Sequence, residues 1–269
     1  MVSKERKEKY NHTFLNSYAL SVFRYTADND YIAARHSFRA ELYAQFLWSA
    51  QQAIEKYLKC VLVLNKVKLM KNNKNFHSLN DLLNHFNGNN SLFTLRIRPE
   101  SMKFIEHLDR CALSSRYLSA PFYVLGEHLF RFDAAVWDIR RYCEPLDFSF
   151  QLPDGSVNSL LDSNLKRIIE SEEKPPQHFK LKYLGLLEEL VFSENNKNLA
   201  RQSLLWKNNF FGKRVRTNIP LPAVSVIQQS ELTLQPEMLD VVSEYVFIDK
   251  NAKGRLKNDQ KRQSVINSV

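Results

Sequence analysis

DYIAARHSFRAELYAQFLWSAQQAIEKYLKCVLVLN, residues 30–65, is the longest helical pattern in the chain. Phe38, Leu42, Phe46, Ala50, Ile54, Leu58 and Leu62 recur every four residues, and Ala53, Tyr57 and Val61 widen them into a broad apolar stripe. No Pro or Gly interrupts it. Gln51, Glu55 and Lys59 line up beside the stripe, and Gln52 stands four residues before Lys56. Glu before Lys at that spacing is the favoured orientation of a helical ion pair. The spacing predicts one long core helix with a polar rim.

Outward from this helix the chain stays helical in pattern. Residues 13–27 predict a first helix with Phe14, Tyr18, Val22 and Tyr25 on one face. Asp28, Asn29 and Asp30 offer turn or N-cap chemistry, so the first two helices are expected as an antiparallel hairpin. Residues 1–12 are a charged leader, expected to fray. Residues 66–75 read as a basic, Asn-rich loop, and Ser78 with Asp81 as the capped start of a short helix carrying Leu79, Leu82, Leu83 and Phe86. Pro99 suits the first turn of a further helix. Residues 114–126 read as irregular and aromatic. Residues 127–143 give the second strongest helix, with Leu129, Phe132, Val136, Ile139 and Cys143 in a narrow seam.

Pro145 ends that helix, and Pro153-Asp154-Gly155 predicts a small hairpin. A short helix follows over 160–170, then a helical stretch over 180–206 kinked at SENNKN, an extended segment over 217–230, and a last short helix from Pro236 to Tyr245. The fold class expected is all-α. It comprises a helical bundle over residues 13–146, a mostly helical extension over 147–249, and a disordered basic tail over 250–269.

The composition is that of a globular protein: 269 residues, 44% hydrophobic, 25% charged, with too few glycines (six) for a turn-rich β fold. The net charge of +9 suits nucleic-acid or acidic-surface binding. Cys60, Cys111 and Cys143 are far apart and lie in apolar helical patterns, which predicts buried free thiols in a reducing compartment. The start, MVSKERKEKY, has no hydrophobic signal core, and the longest apolar run, residues 60–64, is too short for a bilayer. The reading is a soluble cytoplasmic protein without a membrane partner.

Several residues suit phosphate or base chemistry. Arg116 with Tyr117 combines a bidentate phosphate donor with a ring for base stacking. Arg35-His36 reads as a phosphate or acid–base pair, or as a solvated first turn. Lys56 and Lys59 read as phosphate ligands, or as ion pairs that fix the bundle. Lys66, Lys68, Lys71 and Lys74, then Lys213, Arg214 and Arg216, form two basic strips able to follow an RNA backbone, or ordinary surface charge. His77 reads as structural. No phosphate loop, nucleophile elbow or zinc pattern occurs, so neither a metal nor a cofactor is expected.

The motifs resemble the HEPN superfamily, small helical domains of prokaryotic toxin, nucleotidyltransferase-partner and antiviral proteins. Gln51, Gln52, Ala53, Glu55, Lys56 and Lys59 match its Q-Q-A-x-E-K-x-x-K signature, residues 75–79 (NFHSL) its H-S-L entry to a third helix, and Arg116-Tyr117 its R-Y before the last helix. The resemblance implies an up-and-down bundle, often a homodimer. It also implies a role in toxin–antitoxin or defence systems, with a protein partner encoded nearby and RNA or nucleotide as ligand. Many members are metal-independent ribonucleases built on R-x4-6-H. No such pair is read in this sequence: His36, His77, His85, His107, His128 and His178 all lack an Arg at that spacing. The expected function is therefore a non-catalytic binder of RNA, nucleotide or a protein partner. The alternatives are an RNase toxin with a degenerate site, using Arg116 or Arg35 with His128 or His36, and a structural dimerisation subunit.

Overall fold

The computed structural model describes residues 4–71, 74–75, 78–86, 93–117, 122–147, 149–172, 181–211, 225–227, 235–245, 248, 253–254 and 257–258. Helix α1 (Lys4–Tyr18), a π-helical segment (Ala19–Arg24) and α2 (Tyr25–Arg39) follow one another without a turn. The leader expected to fray is thus helical from Lys4. The turn expected at Asp28–Asp30 is absent, because both acids serve as side-chain partners in mid-helix: Asp28 for Tyr57 and Arg140, Asp30 for Lys56.

The hairpin turns instead at Ala40–Leu42. Glu41 takes a left-handed conformation (φ 61°), the Leu42 N–H donates to Ser37 O at 2.8 Å, and the Glu41 N–H to Phe38 O at 3.1 Å. This paired closure ends a helix wherever one residue accepts positive φ, most cheaply glycine. Leu42 is thereby 58% exposed and drops out of the expected stripe. The long helix begins afresh as α3 (Tyr43–Leu64) and ends by the same device at Lys66, also at φ 61°.

α3 is the axis of the fold. It is buried over most of its circumference, enclosing Phe46, Ile54, Tyr57, Leu58, Val61 and Leu62 beside a polar strip. Around it stand the π segment, α2, α4 (Leu79–Asn84), α5 (Pro99–Tyr117) and α6 (Glu127–Arg140). Phe46 meets Phe38 and Phe132 edge-on, with centroids 5.0 and 5.7 Å away. The first helix presents another face than expected. Phe14, Tyr18, Val22 and Tyr25 are exposed, while Ala19, Arg24, Ala27 and Tyr31 turn inward. The small Ala19 and Ala27 let this rod approach α3, where Cys60 Sγ–H reaches Ala19 O at 3.5 Å.

α4 opens as expected, with Ser78 Oγ accepting the Asp81 N–H at 3.3 Å. The aromatic stretch expected to be irregular holds the last turn of α5, up to Tyr117, and a short strand, Phe122–Val124. This strand pairs antiparallel with Ser225–Ile227, the described part of the segment expected to be extended. Two further ladders join Met70–Lys71 to Lys74–Asn75 and Ser149–Gln151 to Val157–Ser159. The second is the hairpin expected around Gly155, whose φ is 83°. The structure is mainly helical, an all-α bundle in agreement with the sequence.

The core does not stop at Leu146. Ile168 of α7 (Leu161–Glu170), Leu187 and Leu190 of α8 (Leu186–Phe192) and Leu204 of α9 (Leu199–Leu205) join the same apolar cluster. The kink expected at SENNKN is a full break between α8 and α9. There Ser193 Oγ accepts the Asn195 N–H, and Asn198 Oδ1 caps α9 by accepting the Arg201 N–H at 3.1 Å. Short polar side chains here hold backbone groups a helix would otherwise use. The last helix, α10 (Leu239–Tyr245), follows a 3₁₀ turn at Pro236–Met238. No helix among the described residues is long and apolar enough to cross a membrane.

Candidate functional site

Two arginines at the heart of the fold set the site's electrostatics. Arg35 lies on α2 with 0% of its surface exposed. Its Nη1 donates to both carboxylate oxygens of Asp133 on α6. Its Nε donates to Ser203 O at 3.0 Å, and its Nη2 to Trp206 O, both at the end of α9. The Tyr31 hydroxyl donates to Asp133 at 2.7 Å and accepts from Asn208 Nδ2 at 2.8 Å. Burial pushes the Tyr31 hydroxyl well up and raises the Asp133 carboxyl despite the pull of Arg35. Burial would lower Arg35, but the Asp133 charge more than offsets it and the guanidinium stays protonated. A cation at a helix C-terminus also complements the α9 dipole.

Arg140, near the end of α6, repeats the arrangement. It grips Asp28 bidentately at 2.8 and 2.9 Å and Glu188 at 2.5 and 2.7 Å. Tyr57 of α3 donates to Asp28 at 2.6 Å, and the Gly185 N–H donates to Glu188 at 3.0 Å. A Cβ at Gly185 would stand 3.1 Å from Arg140 Nη2, so the loop approaches this closely only because residue 185 has no side chain. Glu188 is thus the second carboxylate on Arg140. Nothing local in the sequence signalled that pairing, which joins residues 48 positions apart.

The signature residues of α3 form a polar ladder. Gln52 Nε2 donates to Gln51 Oε1 at 2.6 Å, Gln51 Nε2 to Glu55 at 3.0 Å, and Lys59 Nζ to Glu55 at 2.6 Å. Gln51 and Glu55 are buried, so the ladder is an internal brace. Lys56 reaches across to Asp30 at 2.5 Å, with about a third of each side chain exposed.

A histidine cluster lies where α5 meets the start of α6. The rings of His107 and His128 are 4.7 Å apart, with Tyr123 4.9 Å from His107 and Phe104 5.4 Å from His128. His107 Nδ1 lies 3.7 Å from Cys111 Sγ. His128 Nδ1 accepts the Leu125 N–H at 3.2 Å, which puts the ring proton on Nε2. Burial, with His107 and Arg131 adding like charge, lowers His128 to about 3. Burial with Arg110 lowers His107 to about 4. Both rings are neutral at pH 7. His107 escaped the sequence reading because no motif contains it.

The other expected site residues are dispersed. His36 is exposed, with Nδ1 3.2 Å from the hydroxyl of Ser203, the residue whose carbonyl accepts from Arg35. Arg116 and Tyr117 stand on the last turn of α5, their side chains outside the described residues. Lys66 donates to Asn16 and to Leu64 O, and partial burial lowers its pKa; Lys68 is exposed. Lys71 and Lys74 face each other across the Met70–Asn75 ladder, their side chains outside the description. His77, Lys213, Arg214 and Arg216 lie outside the described residues, as does the expected disordered tail except for 253–254 and 257–258. The three cysteines are buried and free. Among the described residues no group of three or more His, Cys, Asp or Glu is placed to hold a metal ion.

One R-x5-H contradicts the expectation that the chain lacks this spacing: Arg6 and His12 of α1, with His12 exposed.

No curated protein and no solved structure gives a significant match to the chain. A family model, that of the HEPN domain, matches residues 21–135. That span runs from the π segment into α6 and takes in the ladder on α3, Arg35 with Asp133, and the two clustered histidines. The match assigns a HEPN domain to residues 21–135.

Proposed function

We propose that this protein is a non-catalytic HEPN protein that binds RNA as a homodimer, within a bacterial stress or defence system. The observation that carries the reading is what happens to Arg35 and His128, two candidate catalytic groups within the matched domain. A catalytic arginine must face the phosphate, yet Arg35 is enclosed by Asp133, Ser203 O and Trp206 O. A general base must offer a lone pair to the ribose hydroxyl. The Nδ1 lone pair of His128 is held by the Leu125 N–H, and Nε2 carries a proton. What remains for RNA is charge, +9 over the chain, acting on the phosphate backbone through counterion release.

Incubation with total RNA, with filter binding across a salt series, tests this. The expected result is intact RNA and an affinity falling with log[salt] at a slope of about −0.7 per phosphate contact. Cleavage abolished by Arg116→Ala or by His128→Ala would refute it. Such a result would establish the second reading, an RNase with a degenerate site. One observation favours that alternative: His128 sits against His107 of α5, the helix whose last turn carries Arg116.

A further inference from the structure

Two of the three buried cysteines meet in the core. Cys60 lies on α3 and Cys143 just past the end of α6, 83 residues further on (143 − 60). Both have 0% of their surface exposed. The Cys143 thiol donates to Tyr57 O at 3.6 Å and to Ile139 O at 3.9 Å. Tyr57 stands three residues before Cys60 on α3. A helical side chain leans back over the turn N-terminal to its own Cα, so the Cys60 thiol shares that turn with Cys143 Sγ. The two thiols are accordingly hydrogen-bonded to each other. Cys111, by contrast, faces His107 on its own helix, α5.

One piece of the fold covers both. The Cys60 thiol donates to Ala19 O at 3.5 Å, and the Cys143 carbonyl accepts from Arg24 Nη1 at 3.1 Å. Ala19 and Arg24 are the two ends of the π segment, a rare single-turn form found mostly at functional positions. Burial, with the neighbouring Cys60 thiol, pushes the Cys143 thiol well up, although Arg24 and Arg140 pull it down. In the closed fold Cys143 is thus held as a thiol, and the thiolate is the nucleophile. Lifting the π segment by local opening admits water to both sulfurs and removes the burial that keeps Cys143 neutral, with Arg140 still beside it.

We propose that Cys60 and Cys143 are a modification site, converted by hydrogen peroxide to a disulfide that clamps α3 to the end of α6. The Cys143 thiolate attacks one peroxide oxygen, the O–O bond breaks, and the departing hydroxide takes up the thiol proton as water. Cys143 is left as a sulfenic acid. The Cys60 sulfur then displaces the sulfenyl hydroxyl, which leaves as a second water with the Cys60 proton. Two thiols give up two electrons, one peroxide is reduced to two waters, and the S–S bond replaces the hydrogen bond between the thiols. The link closes a loop through α4, α5 and α6 and restricts the unfolded chain. The inference is independent of the RNA-binding reading.

The test treats the reduced full chain with hydrogen peroxide in the absence of denaturant. Free thiols are counted after unfolding, the intact mass is taken, and peptides are mapped without reductant. The expected result is one free thiol of three, a mass lower by two hydrogens, and a peptide joining Cys60 to Cys143. Cys111→Ala forms the same link and keeps no free thiol. Cys60→Ala gains oxygen on Cys143 instead of losing hydrogen, and should that variant fail to fold, the map of the natural chain decides. The linked chain is expected to unfold at a higher urea midpoint than the reduced one, and dithiothreitol reverses both the mass and the midpoint. Three free thiols, oxidation at Cys111 alone, a link joining two chains in its place, or a Cys60–Cys143 link that forms only in urea overturns the proposal. So does a link that leaves the midpoint unchanged.

Discussion

Removing Asp133 is the sharpest probe of how this bundle is held. Asp133→Ala deletes the carboxylate bound to Arg35 and leaves a guanidinium with 0% exposure facing two carbonyls and, among the described residues, no countercharge. Stripping one partner from a buried ion pair costs about 3–5 kcal/mol, because the surviving charge stays desolvated. The Tyr31 hydroxyl also loses its acceptor at 2.7 Å. Since domains hold about 5–15 kcal/mol in all, the variant is expected at the edge of stability. Urea unfolding followed by circular dichroism reads the loss as a lower midpoint at unchanged slope. Arg35→Leu alone frees the carbonyls of Ser203 and Trp206, while Arg35→Leu with Asp133→Ala no longer buries a lone charge. The double variant should therefore lose less than the sum of the singles by at least about 1 kcal/mol. A loss below about 1 kcal/mol for Asp133→Ala, or strict additivity, would refute the reasoning.

Glu41→Gly relieves a left-handed residue at the α2–α3 turn and should raise stability by about 0.5–1 kcal/mol, seen as a higher melting temperature; a lower one contradicts the closure described. Burial pushes Glu188 up, but Arg140 and the N–H groups of Glu188 and Gly185 outweigh it and hold the carboxyl below its usual value. A depressed folded pKa gives stability that is full above the unfolded value of about 4.3 and lost as pH falls through the folded one. Stability of the natural protein should thus fall more steeply below about pH 4.3 than that of Glu188→Gln, and parallel acid unfolding curves would count against the pairing. Lys56→Ala breaks a part-exposed pair with Asp30 and should cost under about 1 kcal/mol in urea. If Lys56 contacts RNA, the same change lowers the salt slope by about 0.7, and an unchanged slope removes it from the interface.

The long periodic pattern was legible because α3 is buried over most of its circumference, so its apolar residues follow helical spacing almost without exception. Ser78 and Pro99 were legible because caps act locally. The turn at Ala40–Leu42 was not, since the left-handed position carries Glu41, and periodicity runs straight across a helix end that no glycine marks. Asp28 and Asp30 misled for the opposite reason. They look like caps, but their charges answer Arg140 and Lys56, far off in sequence. For the same reason the candidate site was only partly readable. A sequence shows that Arg35 is an arginine; only packing shows that α6 and α9 close over it.

The reach of Arg35 has a consequence for the order in which the chain assembles. Its acceptors Ser203 O and Trp206 O lie 168 and 171 residues downstream, and Arg24 likewise waits for Leu184 O, 160 residues on. Contacts of such long separation slow folding, because the intervening loop must close before they form. Asp133 precedes Ser203 by 70 residues (203 − 133), which a ribosome adding roughly 5–20 residues per second takes about 4–14 s to make. For that interval buried Arg35 still lacks both of its carbonyls, and for the first 51 residues of it (184 − 133) Arg24 lacks Leu184 O. During synthesis this protein is therefore a late folder, and α9 is the piece that releases it.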